Sequence, residues 1–220
     1  MITRRTLLAL GGAFAASAAF LAWPRGGADG PLLPGGAGAA NAQEAAAVED
    51  ITLGSPDAPV EVIEYASFTC PHCAAFHRET FPAFRREFID TGRVRFTYRE
   101  VFFDRYGLWA SMVARCAGPE RYFGVAELIY ANQSDWARQS DPAQVAESLK
   151  RIGAQAGLSR EELDACLSDA GQAQGLMAWY EANAARDGIR STPSFVVDGE
   201  VHAGNMTLDA LAELVAAAEG

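Results

Sequence analysis

The stretch VEVIEYASFTCPHC, Val60 to Cys73, joins a strand pattern to a pair of cysteines. Its first six residues alternate and are largely β-branched, and the turn-like GSPDAP precedes them, which is typical of a strand. The strand runs directly into Cys70-Pro71-His72-Cys73. A helix that begins at Pro71 has proline at its favoured first position and makes Cys70 the N-cap residue. The sequence therefore predicts two cysteines at a strand-to-helix junction.

The elements downstream of the cysteines follow in a recognisable order. From Pro71 to Ile89 apolar residues recur at helical spacing, and Pro82 is expected to kink this helix because proline lacks the N–H group. The alternation in VRFTYR, which begins at Val94, predicts a second strand. Residues 104–187 then predict five helices separated by turn signals. The chain is thus strand, helix and strand, followed by a helical block.

The last part of the chain returns to β-structure. Asp198-Gly199, flanked by two short apolar runs, predicts a β-hairpin, and Thr207 is positioned to cap a final amphipathic helix. Without the helical block, the order is β-α-β-β-β-α, and a further short β-segment is expected around residues 51–53. The fold class predicted is α/β, with a central sheet flanked by helices.

The first 42 residues predict an export signal and a disordered linker. A basic start precedes an uncharged apolar run, Leu7 to Leu21, which is the layout of an export signal. Both the ordinary secretory route and the twin-arginine route stay open, because Arg4-Arg5 suits either. The following Gly-, Ala- and Pro-rich stretch lacks the apolar residues needed for a core. The expected location is the periplasm, with cleavage or retention as a membrane anchor both open.

Charge and cysteine content restrict the class of partner. The formal net charge of −10 argues against nucleic acid or anionic lipid. Export delivers all four cysteines, Cys70, Cys73, Cys116 and Cys166, to an oxidising compartment where disulfides persist. An even number of cysteines there is compatible with two bridges, in any of three pairings.

Three interpretations compete for the pair Cys70 and Cys73. A zinc site needs four ligands, whereas His72 and His77 lie on the same segment and the only other histidine is His202. No metal is therefore expected, although a metal-binding module stays an alternative. A structural disulfide would close a very short loop, which constrains the unfolded chain little. A redox-active pair is the third interpretation.

Local physical chemistry favours the redox interpretation. At the N-cap, the Cys70 sulfur faces free N–H groups and the positive end of the helix dipole, which favour thiolate, whereas Cys73 lies deeper. His72 could donate to that thiolate or stabilise it by charge. Glu64, on the preceding strand, is expected to be partly buried and to relay a proton to Cys73, unless it lies on a solvated face. His77 is interpreted as a surface residue.

The cysteine motif, the helical block and STPSFVVDGE before the last helix together resemble the DsbA family of thiol:disulfide oxidoreductases. The resemblance implies a thioredoxin fold with an inserted all-α domain. Residues 43–103 and 188–220 would form the thioredoxin part, and 104–187 the insertion. It also implies a disulfide exchange enzyme that needs no organic cofactor, since its redox group would be the Cys70-Cys73 disulfide.

The resemblance assigns further residues and partners. Thr192-Pro193 would be a cis peptide beside the disulfide, and the Thr192 backbone would pair with an extended substrate. Cys116 and Cys166 would form a structural disulfide, the alternative being two buried free thiols. Exported proteins with free thiols would be substrates of a monomeric protein, and a DsbB-like, quinone-linked membrane oxidase would restore the bond. Threonine before the proline is typical of the related isomerases, so an isomerase or reductase is the alternative direction.

Overall fold

A five-stranded mixed sheet, in the order β1-β3-β2-β4-β5, organises the described part of this computed structural model. That part comprises residues 47–220, so the predicted export signal and linker lie outside the described residues. The strands are β1 (Ile51–Leu53), β2 (Val60–Ala66), β3 (Val94–Glu100), β4 (Ser194–Val197) and β5 (Glu200–Ala203).

Helices pack on this sheet and form the block between β3 and β4. Within residues 47–220, every helix is too short or too polar to cross a membrane. The helices are α1 (Pro71–Glu79), α2 (Phe81–Phe84), α3 (Arg105–Cys116), α4 (Pro119–Ala131), α5 (Gln133–Trp136), α6 (Pro142–Gln155), α7 (Arg160–Leu167), α8 (Ala170–Arg186) and α9 (Leu208–Glu219), with a π-helical turn at Arg85–Ile89.

Strand β2 is the central strand and carries the cysteine motif at its end. It pairs in parallel with β3 and antiparallel with β4, so Glu64 lies between Tyr98 and Phe195 in the register. Parallel strands need a crossover, which α1, α2 and the π-helical turn supply. Six of the seven residues of β2 are buried. The predicted thioredoxin fold with a helical insertion is confirmed.

Side-chain caps begin several helices of the insertion. Asp104 and Asp141 cap α3 and α6 by accepting backbone N–H groups, and Ser159 forms a capping box with Glu162 at α7. The short helix α5 was not predicted, because four residues are too few to show a helical period. The insertion therefore contains six helices in the described chain rather than five.

The kink predicted at Pro82 is a break between two helices in the structure. The helix ends at Glu79, Thr80 forms the junction, and α2 begins with Pro82 in its first turn. The π-helical turn then continues to Ile89. Since proline cannot donate to the preceding turn, the chain starts a new helix here instead of bending one continuous helix.

The buried side chain of Arg99 connects the sheet to segments on either side of β3 in the sequence. Arg99 of β3 donates to Asp50, to the Tyr65 hydroxyl and to Asp187, which follows α8. Tyr65 also donates to Asp187, and burial is the main cause that raises the pKa of this phenol to about 12. This network connects the start of the described chain, two strands and the end of the insertion.

Gly54 offers a direct test of the turn between β1 and β2. Its φ is +91°, and an added Cβ would lie 2.4 Å from the Val94 carbonyl oxygen. Gly54→Ala is expected to lower the free energy of unfolding by roughly 2 kcal/mol or more, since the left-handed backbone alone costs about 1–2 kcal/mol. Urea unfolding followed by circular dichroism measures the change.

Gly92 provides the matched control for that measurement. Its φ is +78°, yet an added Cβ would meet nothing within 4 Å. Gly92→Ala should therefore show only the conformational cost of about 1–2 kcal/mol. Equal losses for the two alanine variants would contradict a close approach of the backbone at Gly54.

Candidate active site

Cys70 occupies the N-cap of α1, and Pro71 is the first helical residue. The Cys70 backbone is extended, and its carbonyl accepts the Ala74 N–H as the first helical bond. Cys70 is 8% exposed, whereas Cys73, one turn into the helix, is fully buried. The pair thus has one sulfur at the surface and one beneath it.

The structure brings the predicted substrate-binding residues next to Cys70. The peptide bond between Thr192 and Pro193 is cis, immediately before β4. The Cys70 thiol donates to the Thr192 carbonyl at 3.4 Å. Residues separated by more than one hundred positions in the sequence therefore meet at one site.

The two sulfurs have opposite acidities. The hydrogen bond from the Cys73 thiol is the main cause that lowers the pKa of Cys70 to about 5, and the backbone N–H groups of Cys73 and His72 act in the same direction. Burial, the hydrogen bond to Cys70 and the charge of Glu64 raise the pKa of Cys73 well above its ordinary value. Near neutral pH, Cys70 is a thiolate and Cys73 is a thiol.

His72 acts on this pair through its backbone. The residue is exposed, and its N–H group at the start of α1 is one of the groups that favour the Cys70 thiolate. Free N–H groups at a helix start stabilise negative charge for the same reason that they bind anions. A contribution from the charge of the His72 ring stays a prediction.

Glu64 lies behind the cysteines and pairs with His77. The Glu64 side chain is completely buried, and its Oε2 lies 2.9 Å from His77 Nε2. The prediction that His77 is a surface residue was wrong, because its side chain is only 4% exposed. Cys73 and His77 are four residues apart on α1, so both project from the helix face that packs on the sheet. That spacing was the signal in the sequence.

Gln133 is a site residue that the sequence did not reveal. It lies on the short helix α5, and its buried amide donates to the carbonyls of Phe68 at 2.7 Å and Cys70 at 2.9 Å. These carbonyls belong to the segment that leads into the cysteine motif. A single glutamine on a four-residue helix belongs to no sequence motif or period, so the sequence could not indicate this contact.

The structure contains the second cysteine pair as a disulfide. Cys116 at the end of α3 is bonded to Cys166 in α7, with 50 positions between them in the sequence. The bond lies within the helical insertion, whereas Cys70 and Cys73 are both free thiols. The redox pair and the structural pair are therefore distinct.

Removal of this disulfide is expected to cost stability. In the chain-entropy model, a crosslink across a loop of this length stabilises by about 4 kcal/mol. The double variant Cys116→Ala/Cys166→Ala should lose a comparable free energy of unfolding, measured by urea denaturation under non-reducing conditions. A loss below about 1 kcal/mol would show that the crosslink constrains the unfolded chain little.

A thioredoxin-fold sheet that carries a dithiol at the start of α1, with a cis-proline loop beside it, defines the class of thiol:disulfide exchange proteins. Residues 46–217 match the Thioredoxin family model. A relative from Rickettsia conorii, named as a protein-disulfide oxidoreductase, is 34% identical over 167 residues, covering 76% of this chain and 59% of the relative.

Solved structures agree with this match. Wolbachia pipientis alpha-DsbA1 has a TM-score of 0.71 at 27% identity and covers 80% of this chain and 94% of that chain. Oxidised BdbD from Bacillus subtilis has a TM-score of 0.69 at 22% identity, covers 77% of this chain and 92% of that chain, and supports the fold. The chain belongs to the DsbA-like family of thioredoxin-fold thiol:disulfide oxidoreductases. It spans about six tenths of the length of the Rickettsia relatives it matches.

Proposed function

We propose that this protein is a periplasmic oxidoreductase that donates its Cys70-Cys73 disulfide to exported proteins. The observation that carries the proposal is the position of Cys70 at the N-cap of α1, beside the cis-proline loop, where its pKa is lowered to about 5. A stable thiolate favours the reduced pair, because each pKa unit of selective stabilisation corresponds to about 1.4 kcal/mol, or about 30 mV for two electrons. A protein whose reduced form is favoured readily transfers its disulfide to substrate thiols.

The proposed reaction uses only sulfur chemistry. A substrate thiolate attacks Cys70, a mixed disulfide forms, and the Cys70-Cys73 bond breaks with Cys73 as the leaving group. A second substrate thiolate then attacks the substrate sulfur of the mixed disulfide, the substrate disulfide forms, and Cys70 leaves as a thiolate. Two electrons pass from the substrate to the cysteine pair, and no organic cofactor is required.

Glu64 and Thr192 have separate roles in this scheme. The carboxyl of Glu64 would exchange a proton with Cys73, because its charge already acts on that sulfur. The cis peptide places the Thr192 carbonyl beside Cys70, where the backbone could pair with an extended substrate. Substrate recognition through backbone groups suits an enzyme that acts on many unfolded chains.

The proposal also includes location and partners. Export would follow from the predicted signal in the first 42 residues, and exported proteins with free thiols would be the substrates. A quinone-linked membrane oxidase of the DsbB type would return the bond to Cys70 and Cys73. The acidic chain would work as a monomer without nucleic acid.

A disulfide isomerase or reductase is the second candidate function. Thr192 precedes the cis-proline, and its buried hydroxyl has no hydrogen-bond partner among the described residues. The Thr192 carbonyl accepts from the Cys70 thiol, so this residue is placed to affect the balance between thiolate and disulfide. The same residues would then act in the opposite direction, with Cys70 and Cys73 kept reduced.

A redox titration of the Cys70-Cys73 pair against glutathione distinguishes the two directions. An oxidase should have a reduction potential far above that of thioredoxin, which is about −270 mV, and closer to about −120 mV. A potential near that of thioredoxin would overturn the oxidase proposal. Metal analysis of the same reduced protein tests the third interpretation, since stoichiometric zinc would indicate a metal-binding module.

A further inference from the structure

His77 and Glu64 lie inside a box of aromatic rings beneath the redox pair. The plane of the His77 ring is stacked on Tyr130, with centroids 4.4 Å apart and an angle of 16°. Three further rings approach within 6 Å, which leaves the imidazole in apolar surroundings. Their centroid distances from His77 are 4.8 Å for Phe81, 5.5 Å for Phe76 and 5.6 Å for Tyr98.

Inside this aromatic box, His77 is the hydrogen-bond partner of the Glu64 carboxyl. One oxygen of Glu64 contacts His77 Nε2, while the other, Oε1, is buried without a hydrogen-bond partner among the described residues. The contact with His77 therefore fixes the position of the Glu64 carboxyl through one of its two oxygens.

Cys73 shares this environment. It projects from the same face of α1 as His77, and the negative charge of Glu64 is one cause of its raised pKa. The phenols of Tyr98 and Tyr130 complete the set of titratable groups on the packed elements. Burial raises the pKa of each phenol well above its ordinary value, so both stay neutral. Cys73, Glu64 and His77 are thus the groups of this buried cluster that can take part in proton transfer.

We infer that His77 is a positioning residue for disulfide exchange: by binding one oxygen of Glu64, it holds the carboxyl in the orientation in which it accepts the proton of Cys73. The inference rests on the proposed function and deepens it, since the other oxygen of Glu64 has no hydrogen-bond partner among the described residues and His77 is what fixes the carboxyl. His77 acts through Glu64 and does not itself touch the reacting sulfurs.

The step that depends on this arrangement is closure of the disulfide. When the Cys70 thiolate has attacked a partner disulfide, a mixed disulfide joins Cys70 to the partner. Cys73 then gives its proton to Glu64 and attacks the Cys70 sulfur. The Cys70-Cys73 bond forms, and the partner sulfur leaves as a thiolate. Two electrons pass to the partner, and in the opposite direction Glu64 returns the proton to Cys73.

His77→Phe removes the contact with Glu64 and keeps a ring in the aromatic box. In this variant the Glu64 carboxyl loses the partner that orients it as the proton acceptor of Cys73. Closure near pH 7 is expected to slow at least about tenfold, because general base catalysis contributes that much or more. The rate should recover as the pH rises. Reaction of the reduced protein with oxidised glutathione, quenched with acid and read by mass spectrometry, separates the mixed disulfide from the closed disulfide.

Alkylation of Cys70 by iodoacetamide supplies a readout that should not change. The pKa of this thiolate depends on Cys73, Thr192 and backbone N–H groups, and Glu64 is not among its causes. The alkylation rate against pH should therefore coincide for wild type and His77→Phe. His202→Gln, a histidine change on β5, is the matched control and should leave both profiles unchanged.

His77→Gln is a second variant for the case that the phenylalanine variant fails to fold, because a glutamine amide can still donate to Glu64 and restore part of its orientation. Closure near pH 7 should be slower than in wild type, with a smaller displacement toward high pH. A closure profile that coincides with wild type in a folded His77 variant would overturn the inference and leave the proposed function intact. Failure of the wild-type protein to form the mixed disulfide would instead contradict the proposed function.

Discussion

Replacement of Cys73 by alanine is expected to abolish dithiol oxidation and to leave the protein joined to its partner through Cys70. Loss of the Cys73 thiol removes the main cause that lowers the pKa of Cys70, but the backbone N–H groups at the start of α1 still favour its thiolate. That thiolate can attack a disulfide, but without the buried thiol there is no sulfur within the protein to displace the partner. Mass spectrometry after reaction with oxidised glutathione should show a long-lived adduct of one glutathione per chain.

Two further variants are controls for the Cys73→Ala experiment. Cys70→Ala should form no adduct, since the fully buried Cys73 is a thiol with a raised pKa. Cys116→Ala/Cys166→Ala, which removes the disulfide of the insertion, should keep dithiol oxidation below its melting temperature. Adduct formation by Cys70→Ala at the rate of Cys73→Ala would contradict the assignment of Cys70 as the attacked sulfur.

Reduction of the Cys70-Cys73 disulfide is expected to stabilise the fold near neutral pH. The pKa of Cys70 is lowered to about 5 in the folded protein, so folding favours the thiolate. A group with a lowered folded pKa adds stability that is complete above its unfolded pKa and is lost as pH falls through the folded value. Near pH 7 the thiolate should contribute about 2–3 kcal/mol, and by about pH 4 almost nothing.

Chemical denaturation of the reduced and oxidised proteins measures this contribution, because Cys70 cannot ionise in the disulfide. The stability difference should shrink steadily from about pH 7 to about pH 4. In parallel, the reduction potential should change by about 30 mV per pH unit above the Cys70 pKa and about twice that below it. A reduced form less stable than the oxidised form near pH 7 would show that the thiolate is not stabilised by the fold.

Local patterns in the sequence predicted much of this fold. The strand before Cys70, proline at the first position of α1, the break near Pro82 and the hairpin at Asp198-Gly199 each depend on neighbours within a few positions. Such signals need no knowledge of the remaining chain. The helical caps of the insertion were predictable for the same reason.

Contacts between distant segments account for what the sequence did not show. His77 has the appearance of a polar helix residue, and only the approach of β2 and α4 encloses it. Arg99 alternates with apolar residues as a surface arginine would, yet it is paired behind the sheet with Asp50 and Asp187. Polar residues in buried pairs have no sequence period, because each partner is supplied by another element.

The amide of Gln133 makes the helical insertion necessary for the conformation of the cysteine motif. Excising the segment 104–187 to obtain a minimal thioredoxin would remove the donor that serves the Phe68 and Cys70 carbonyls. The shortened protein would keep every cysteine of the motif but would lose two bonds that fix the path of the chain into it. A copy of Cys70-Pro71-His72-Cys73 in another scaffold would therefore have the same sequence but would lack the hydrogen bonds that Gln133 of α5 donates.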